Sequence, residues 1–182
     1  MSKIHYELIR DLMLHLGRSY GFVVDNCNAE TATRIESLPL PMNLKRVFQW
    51  TWINDRQCDF GVYRLDKTSD IFSTEWFERL IRSNMLEIGS ACNGDNLILK
   101  FSSVDCEVGL LNGSRFAGEE EDTDPEAFYV KVCGSLDELL LRLAEKQFLP
   151  YDYVSAQALA DLKSEIEKEK WPGKDLNLGP SD

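Results

Sequence analysis

Three short stretches in the middle of the chain place apolar residues at every second position, the spacing that lines one face of a strand. They are Asn96 to Phe101, with Leu97, Leu99 and Phe101 aligned, Cys106 to Leu111, with Cys106, Val108 and Leu110 aligned, and Phe128 to Cys133, with Phe128, Val130 and Val132 aligned. Together they predict an antiparallel meander. The segment that follows changes period. Ser135 and Glu138 stand at the capping-box spacing, and Leu136, Leu139, Leu140 and Leu143 form a broad apolar stripe directly after them. A helix with such a stripe must pack on the sheet, so the chain reads as an α+β protein.

Helices also flank this unit. Ile4, Leu8, Leu12 and Leu16 recur every four residues, with Ile9 and Met13 beside them, and Gly17 stands where a left-handed cap would close the helix. Leu38-Pro39-Leu40-Pro41 restricts the backbone before the next element. Pro41 then suits the start of a helix whose stripe is Leu44, Val47, Phe48 and Trp52, although Phe48, Trp50 and Trp52 also fit a strand. On the helical reading Trp50 lies off the stripe. Phe60, Val62, Tyr63 and Leu65 suggest a strand that ends in a polar turn from Asp66 to Asp70. Ser73 or Thr74 is placed to cap a helix carrying Trp76, Phe77, Leu80 and Ile81 inward, with Glu75 at its positive end and Arg79 and Arg82 toward its negative one. A last helix is written in Val154, Ala158, Leu159, Leu162 and Ile166 and ends near Trp171-Pro172-Gly173. The expected organisation is a single domain over residues 1–171 with a tail at 172–182.

Composition excludes several classes. The chain has 31 acidic against 20 basic residues, a formal charge of −11, and its basic residues occur as isolated pairs such as Lys45-Arg46. Nucleic-acid binding needs clustered cations to neutralise phosphates, so no nucleic-acid partner is expected. No apolar run reaches the roughly 18 residues of a membrane span, and Glu7, Arg10 and Asp11 interrupt the N-terminal apolar positions. The reading is a cytoplasmic protein with no membrane partner. Cys27, Cys58, Cys92, Cys106 and Cys133 form no CxxC pair, and His5 and His15 are the two histidines of the sequence. Buried reduced thiols are expected, with neither a metal site nor a cofactor.

Two segments are candidates for function. Gly89-Ser90-Ala91-Cys92-Asn93-Gly94-Asp95 combines a thiol, glycines and a carboxylate, but a nucleophilic cysteine needs a base in reach, and both histidines lie on the first helix. Asn93-Gly94 before a strand is a turn signal. The second segment, Glu119-Glu120-Glu121-Asp122-Thr123-Asp124-Pro125-Glu126, places six carboxylates in eight residues. It reads as a solvated loop or as an acidic edge that meets a basic partner. Trp50, Glu119, Glu120, Glu121, Asp122 and Asp124 are the candidate partner-binding residues.

With these elements in place, the chain resembles the SUKH superfamily, the bacterial relatives of the yeast cell-wall glucan-synthesis regulator. The resemblance rests on Leu40-Pro41-Met42-Asn43-Leu44-Lys45-Arg46-Val47-Phe48 and on Leu86-Glu87-Ile88-Gly89 leading to Asn93-Gly94-Asp95-Asn96-Leu97-Ile98-Leu99. It continues through Val108-Gly109 and into Ser135-Leu136-Asp137-Glu138-Leu139-Leu140, covering residues 30–150 or so. The asparagine-glycine-glycine turn that often follows the first motif in the family is missing between Trp50 and Asp70. The resemblance implies a curved, mainly antiparallel sheet with helices packed on it, and no catalytic residues. It also implies an immunity-like role, neutralising a polymorphic toxin, often a nuclease, by direct binding. The alternatives are a small-molecule enzyme built on Cys92, Asp95 and a distant histidine, and a regulatory scaffold.

Overall fold

The computed structural model describes residues 2–120 and 123–170. In chain order, strand β1 (Ser2–Lys3) leads into helices α1 (Tyr6–Tyr20), α2 (Ala29–Ser37) and α3 (Met42–Trp50). The hairpin of β2 (Cys58–Asp59) and β3 (Tyr63–Leu65) comes next, then the short helices α4 (Thr68–Ile71) and α5 (Phe77–Arg82). Strands β4 (Met85–Ala91), β5 (Asn96–Phe101) and β6 (Asp105–Leu111) follow one another, and α6 (Gly113–Phe116) follows them. A 3-10 turn (Pro125–Phe128) then enters β7 (Tyr129–Cys133), and α7 (Leu136–Ala144) and α8 (Tyr153–Lys170) complete the described chain.

All pairings between strands are antiparallel, in the order β1-β6-β5-β4-β3-β2, with β7 also paired to β6. The predicted meander, β5, β6 and β7, is therefore one end of a larger open sheet that β4, β3 and β2 extend beyond β5, and the fold is α+β. Both faces of that sheet are covered. Leu97, Leu99, Val108 and Leu110 enter the main core with the buried residues of α1, α3 and α7, while Ile98 and Leu111 join Leu80, Met85, Phe116 and Phe128 in a second core on the other face. Burial from two sides explains why β4 is invisible as an alternating pattern: Met85, Leu86, Ile88, Gly89 and Ala91 are all buried.

Several elements match their sequence signals. Ser135 Oγ accepts the Glu138 amide at 3.1 Å, and Glu138 Oε2 accepts the Gly134 amide at 2.6 Å, a capping box displaced by one residue at its return bond. α3 follows Pro41 as expected, ending at Trp50, so Trp52 is buried beyond the helix and donates its indole N–H to the Asp66 carbonyl. Asn93-Gly94 makes the predicted turn, with Gly94 at φ 93°.

Other expectations are corrected. The buried stripe of α1 is Ile9, Met13 and Leu16, whereas Leu8 is 47% exposed. Gly17 does not cap this helix. It lies inside it, where a Cβ would stand 2.9 Å from the Phe22 carbonyl oxygen, and Gly21 at φ 72° is the left-handed cap. The proposed strand at 60–65 is a hairpin that turns through Gly61, and the 66–70 segment includes part of α4. No side-chain cap from Ser73 or Thr74 closes α5, whose N-cap is Trp76. β7 carries an irregularity that sets Cys133, not Val132, opposite Val108. On α8, Val154 and Leu162 face solvent, and Ala156 is the buried residue. Ile166 has no described side chain, and the 172–182 tail lies outside the described residues. Helix α2, capped by Asn28 accepting the Thr31 amide at 2.8 Å, had no apolar stripe to announce it: Ile35 is its buried residue.

Candidate functional site

The acidic segment leaves the end of β6 and returns at the start of β7, so the sheet places it at one end. Asn112 opens α6 by accepting the Arg115 amide at 3.2 Å. Phe116 then enters the second core, 5.4 Å from the Trp76 ring and 6.0 Å from that of Phe128. Arg79 of α5 reaches over this anchor. Its guanidinium lies 3.8 Å from the Phe116 ring centroid and donates to the carbonyls of Phe116 at 3.4 Å and Glu120 at 2.6 Å. One arginine thus grips both backbone and ring, and the first part of the acidic segment is fixed through its main chain.

The carboxylates divide into two groups. Glu119 and Glu120 are exposed. Asp124 accepts the Glu126 amide at 3.0 Å and opens the 3-10 turn, and Glu126 pairs with Lys100 Nζ at 2.8 Å. Those two acids help to hold the return into β7. Glu121 and Asp122 lie outside the described residues. Sequence reasoning placed Arg79 at the end of its helix without seeing its role, because the carbonyls it serves lie 37 and 41 positions away.

Trp50 lies off the buried stripe of α3, as the helical reading places it, and is 50% exposed. Arg46 stacks between two rings there, 4.2 Å from the Tyr6 centroid and 5.7 Å from that of Trp50. α3 packs into the main core and α6 into the second, so the structure does not bring Trp50 and the acidic segment together.

Cys92 and Asp95 sit at the β4–β5 turn and serve α8. The exposed Cys92 thiol donates to the Tyr151 carbonyl at 3.5 Å. Asp95 Oδ2 accepts the Tyr153 amide at 2.8 Å and the Asn93 side-chain amide at 2.8 Å. The histidines are elsewhere: His5 at the start of α1 lies 3.6 Å from Asp137 of α7, and His15 is exposed on α1. The other thiols are buried at Cys58, Cys106 and Cys133 and half-buried at Cys27, so Cys92 departs from the expectation of uniformly buried cysteines. Among the described residues no group of three or more His, Cys, Asp or Glu side chains could hold a metal ion, and no helix is long and apolar enough to cross a membrane.

Comparison of the chain with protein families, curated proteins and solved structures finds no match.

Proposed function

We propose that this chain is a non-enzymatic protein-binding module, an immunity-like protein of the SUKH type that neutralises a basic toxin domain by direct binding. The observation that carries the reading is the clamp at Arg79, which fixes the Phe116 and Glu120 carbonyls while Glu119 and Glu120 stay in solvent. A charged loop held by its backbone loses less conformational freedom on binding than a mobile one. Nuclease domains carry basic surfaces for phosphates, and an acidic loop can compete for the same surface. Cys92 and Asp95, the residues on which an enzyme would depend, are engaged with the start of α8, which supports binding over catalysis.

The test is association kinetics with a basic nuclease toxin domain, over a salt series. Attraction between exposed charges acts on the association rate and is screened over about 8 Å at physiological salt. Changing Glu119, Glu120, Glu121 and Asp122 to serine is expected to slow association and flatten its salt dependence. Arg79→Gln separates shape from charge: it makes the protein more negative, yet it is expected to raise the dissociation rate because the clamp is lost. Unchanged rates in both variants would leave the acidic run as a solubilising loop.

A further inference from the structure

A hollow lined by three cations lies at the other end of β7, between β7, α7 and α8. It is a half-open groove of about 520 Å³. Ala156, Leu159 and Ala160 of α8 line one wall with Val132 of β7, and Phe148, 72% exposed, stands in its lining. Lys131, Arg142 and Lys163 line it as well.

Two of these cations are partly neutralised. Arg142 bonds Glu138 Oε1 at 2.6 Å, and Lys131 lies 3.1 Å from Glu107. Lys163 is exposed and makes no ion pair among the described residues, so the described lining, three cations against the one carboxylate of Glu138, keeps a positive surplus in a chain of formal charge −11. Arg142 also lines an adjoining hollow of about 380 Å³ with Lys146, where Asp59 is the acidic group. An apolar floor edged by cations selects for a ligand with one apolar face and one acidic face.

The geometry points to this groove as a docking site for an acidic amphipathic segment of a partner protein, independent of the acidic loop and opposite to it in charge. The α8 wall runs from Ala156 to Ser164, about 12 Å at 1.5 Å per residue. That length matches roughly two turns of a docked helix, whose apolar positions at i, i+3, i+4 and i+7 would meet Leu159, Ala160 and Phe148. Its acidic face would meet Lys163 and Lys131. An exposed aromatic at the edge of a concave apolar surface is the usual form of an anchor for such a segment.

The probe is a panel of fluorescein-labelled 12-residue peptides with leucine at helical spacing and glutamate elsewhere, set against counterparts carrying lysine for glutamate. With the full chain, acidic peptides are expected to bind at least tenfold tighter than the lysine set and to shift the amide resonances of Lys131 to Gly134 and Ala156 to Ser164. Lys163→Glu, on an exposed position that leaves the core intact, is expected to weaken them at least tenfold, and Leu159→Asp to abolish binding. Equal affinity for both sets, shifts confined to other elements, or no binding at millimolar peptide would overturn the proposal. Concentration-dependent dimerisation lost in Lys163→Glu would also overturn it, by making a second copy of the chain the occupant.

Discussion

The carboxylate of Asp95, in the β4–β5 turn, accepts the backbone N–H of Tyr153, the first residue of α8, at 2.8 Å. A helix start leaves four amides without helical partners. Asp152 serves another of them, accepting the Ser155 amide at 2.7 Å. Asp95 is thus a cap supplied from 58 positions away in sequence. Asp95→Ala is expected to cost about 1–2 kcal/mol in urea unfolding and to speed amide exchange at Tyr153 to Gln157 selectively. Uniform exchange across the protein would mean that the turn does not hold α8.

The register of β7 sets up a contrast between neighbouring residues. Leu99 is fully buried under the main core, and Val132 falls at the irregularity and is only partly buried. Leu99→Ala should cost about 2–5 kcal/mol, as a large-to-small core change does, and Val132→Ala about 1 kcal/mol or less. Similar losses at the two positions would show that β7 pairs with β6 in the uninterrupted register.

Glu87 is largely buried beside β3, and burial first, then the Asp66 carboxylate, pushes its carboxyl above the usual range against the stabilising bond from Asn96 at 2.7 Å. A carboxyl whose pKa is higher folded than unfolded favours folding while protonated. That contribution is complete below the unfolded value of about 4.3 and is lost as pH rises through the folded value. Glu87→Gln keeps an acceptor for Asn96 and removes the charge, so it should be more stable than the parent at pH 7, with the advantage shrinking toward pH 4. A variant that is less stable at pH 7 would show that the charge itself holds the site.

The five thiols should separate by burial. Cys92 is exposed and is expected to react first with a thiol reagent, at the rate of an ordinary cysteine, while Cys58, Cys106 and Cys133 react only on unfolding. Burial holds Cys106 up to about 11 and Cys133 up to about 12. Since an unfolded thiol ionises near 8.5, their contribution to stability is lost as pH rises from about 9 toward those folded values. Cys92→Ser should leave the fold and partner binding unchanged. A Cys92 that reacts much faster than a free thiol would favour the enzyme reading.

Much of this fold was legible because some signals are local. The alternation in β5 and β6, the Ser135 and Glu138 cap before a leucine stripe, the proline before α3 and the turn at Asn93-Gly94 each involve residues within one element, and each was found where it was read. The off-stripe position of Trp50 and the acidity of the 119–126 segment were also plain. What escaped was whatever depended on a partner far along the chain. β4 is buried on both faces and so carries no period, α1 offered Ile9 and Met13 beside its four-residue stripe, and the stripe read in α8 is only partly the face that packs.

Periodicity states that a face can be buried, but the element lying opposite decides which one is. In α1 the choice fell on Ile9 and Met13; Gly17 lies inside the helix, where the chain at Phe22 passes too close for a side chain, and Gly21 is the cap. In α8 Val154 and Leu162 of the expected stripe were left in water, while Leu159 of that stripe joined Ala156 and Ala160 in lining the groove beside β7. The sequence alone determined the α+β class, the meander and the capped helix that follows it. The tertiary structure alone decided the reach of Arg79 to Glu120 and of Asp95 to Tyr153, since both are hydrogen bonds between residues that only the folded chain brings within 3 Å of each other.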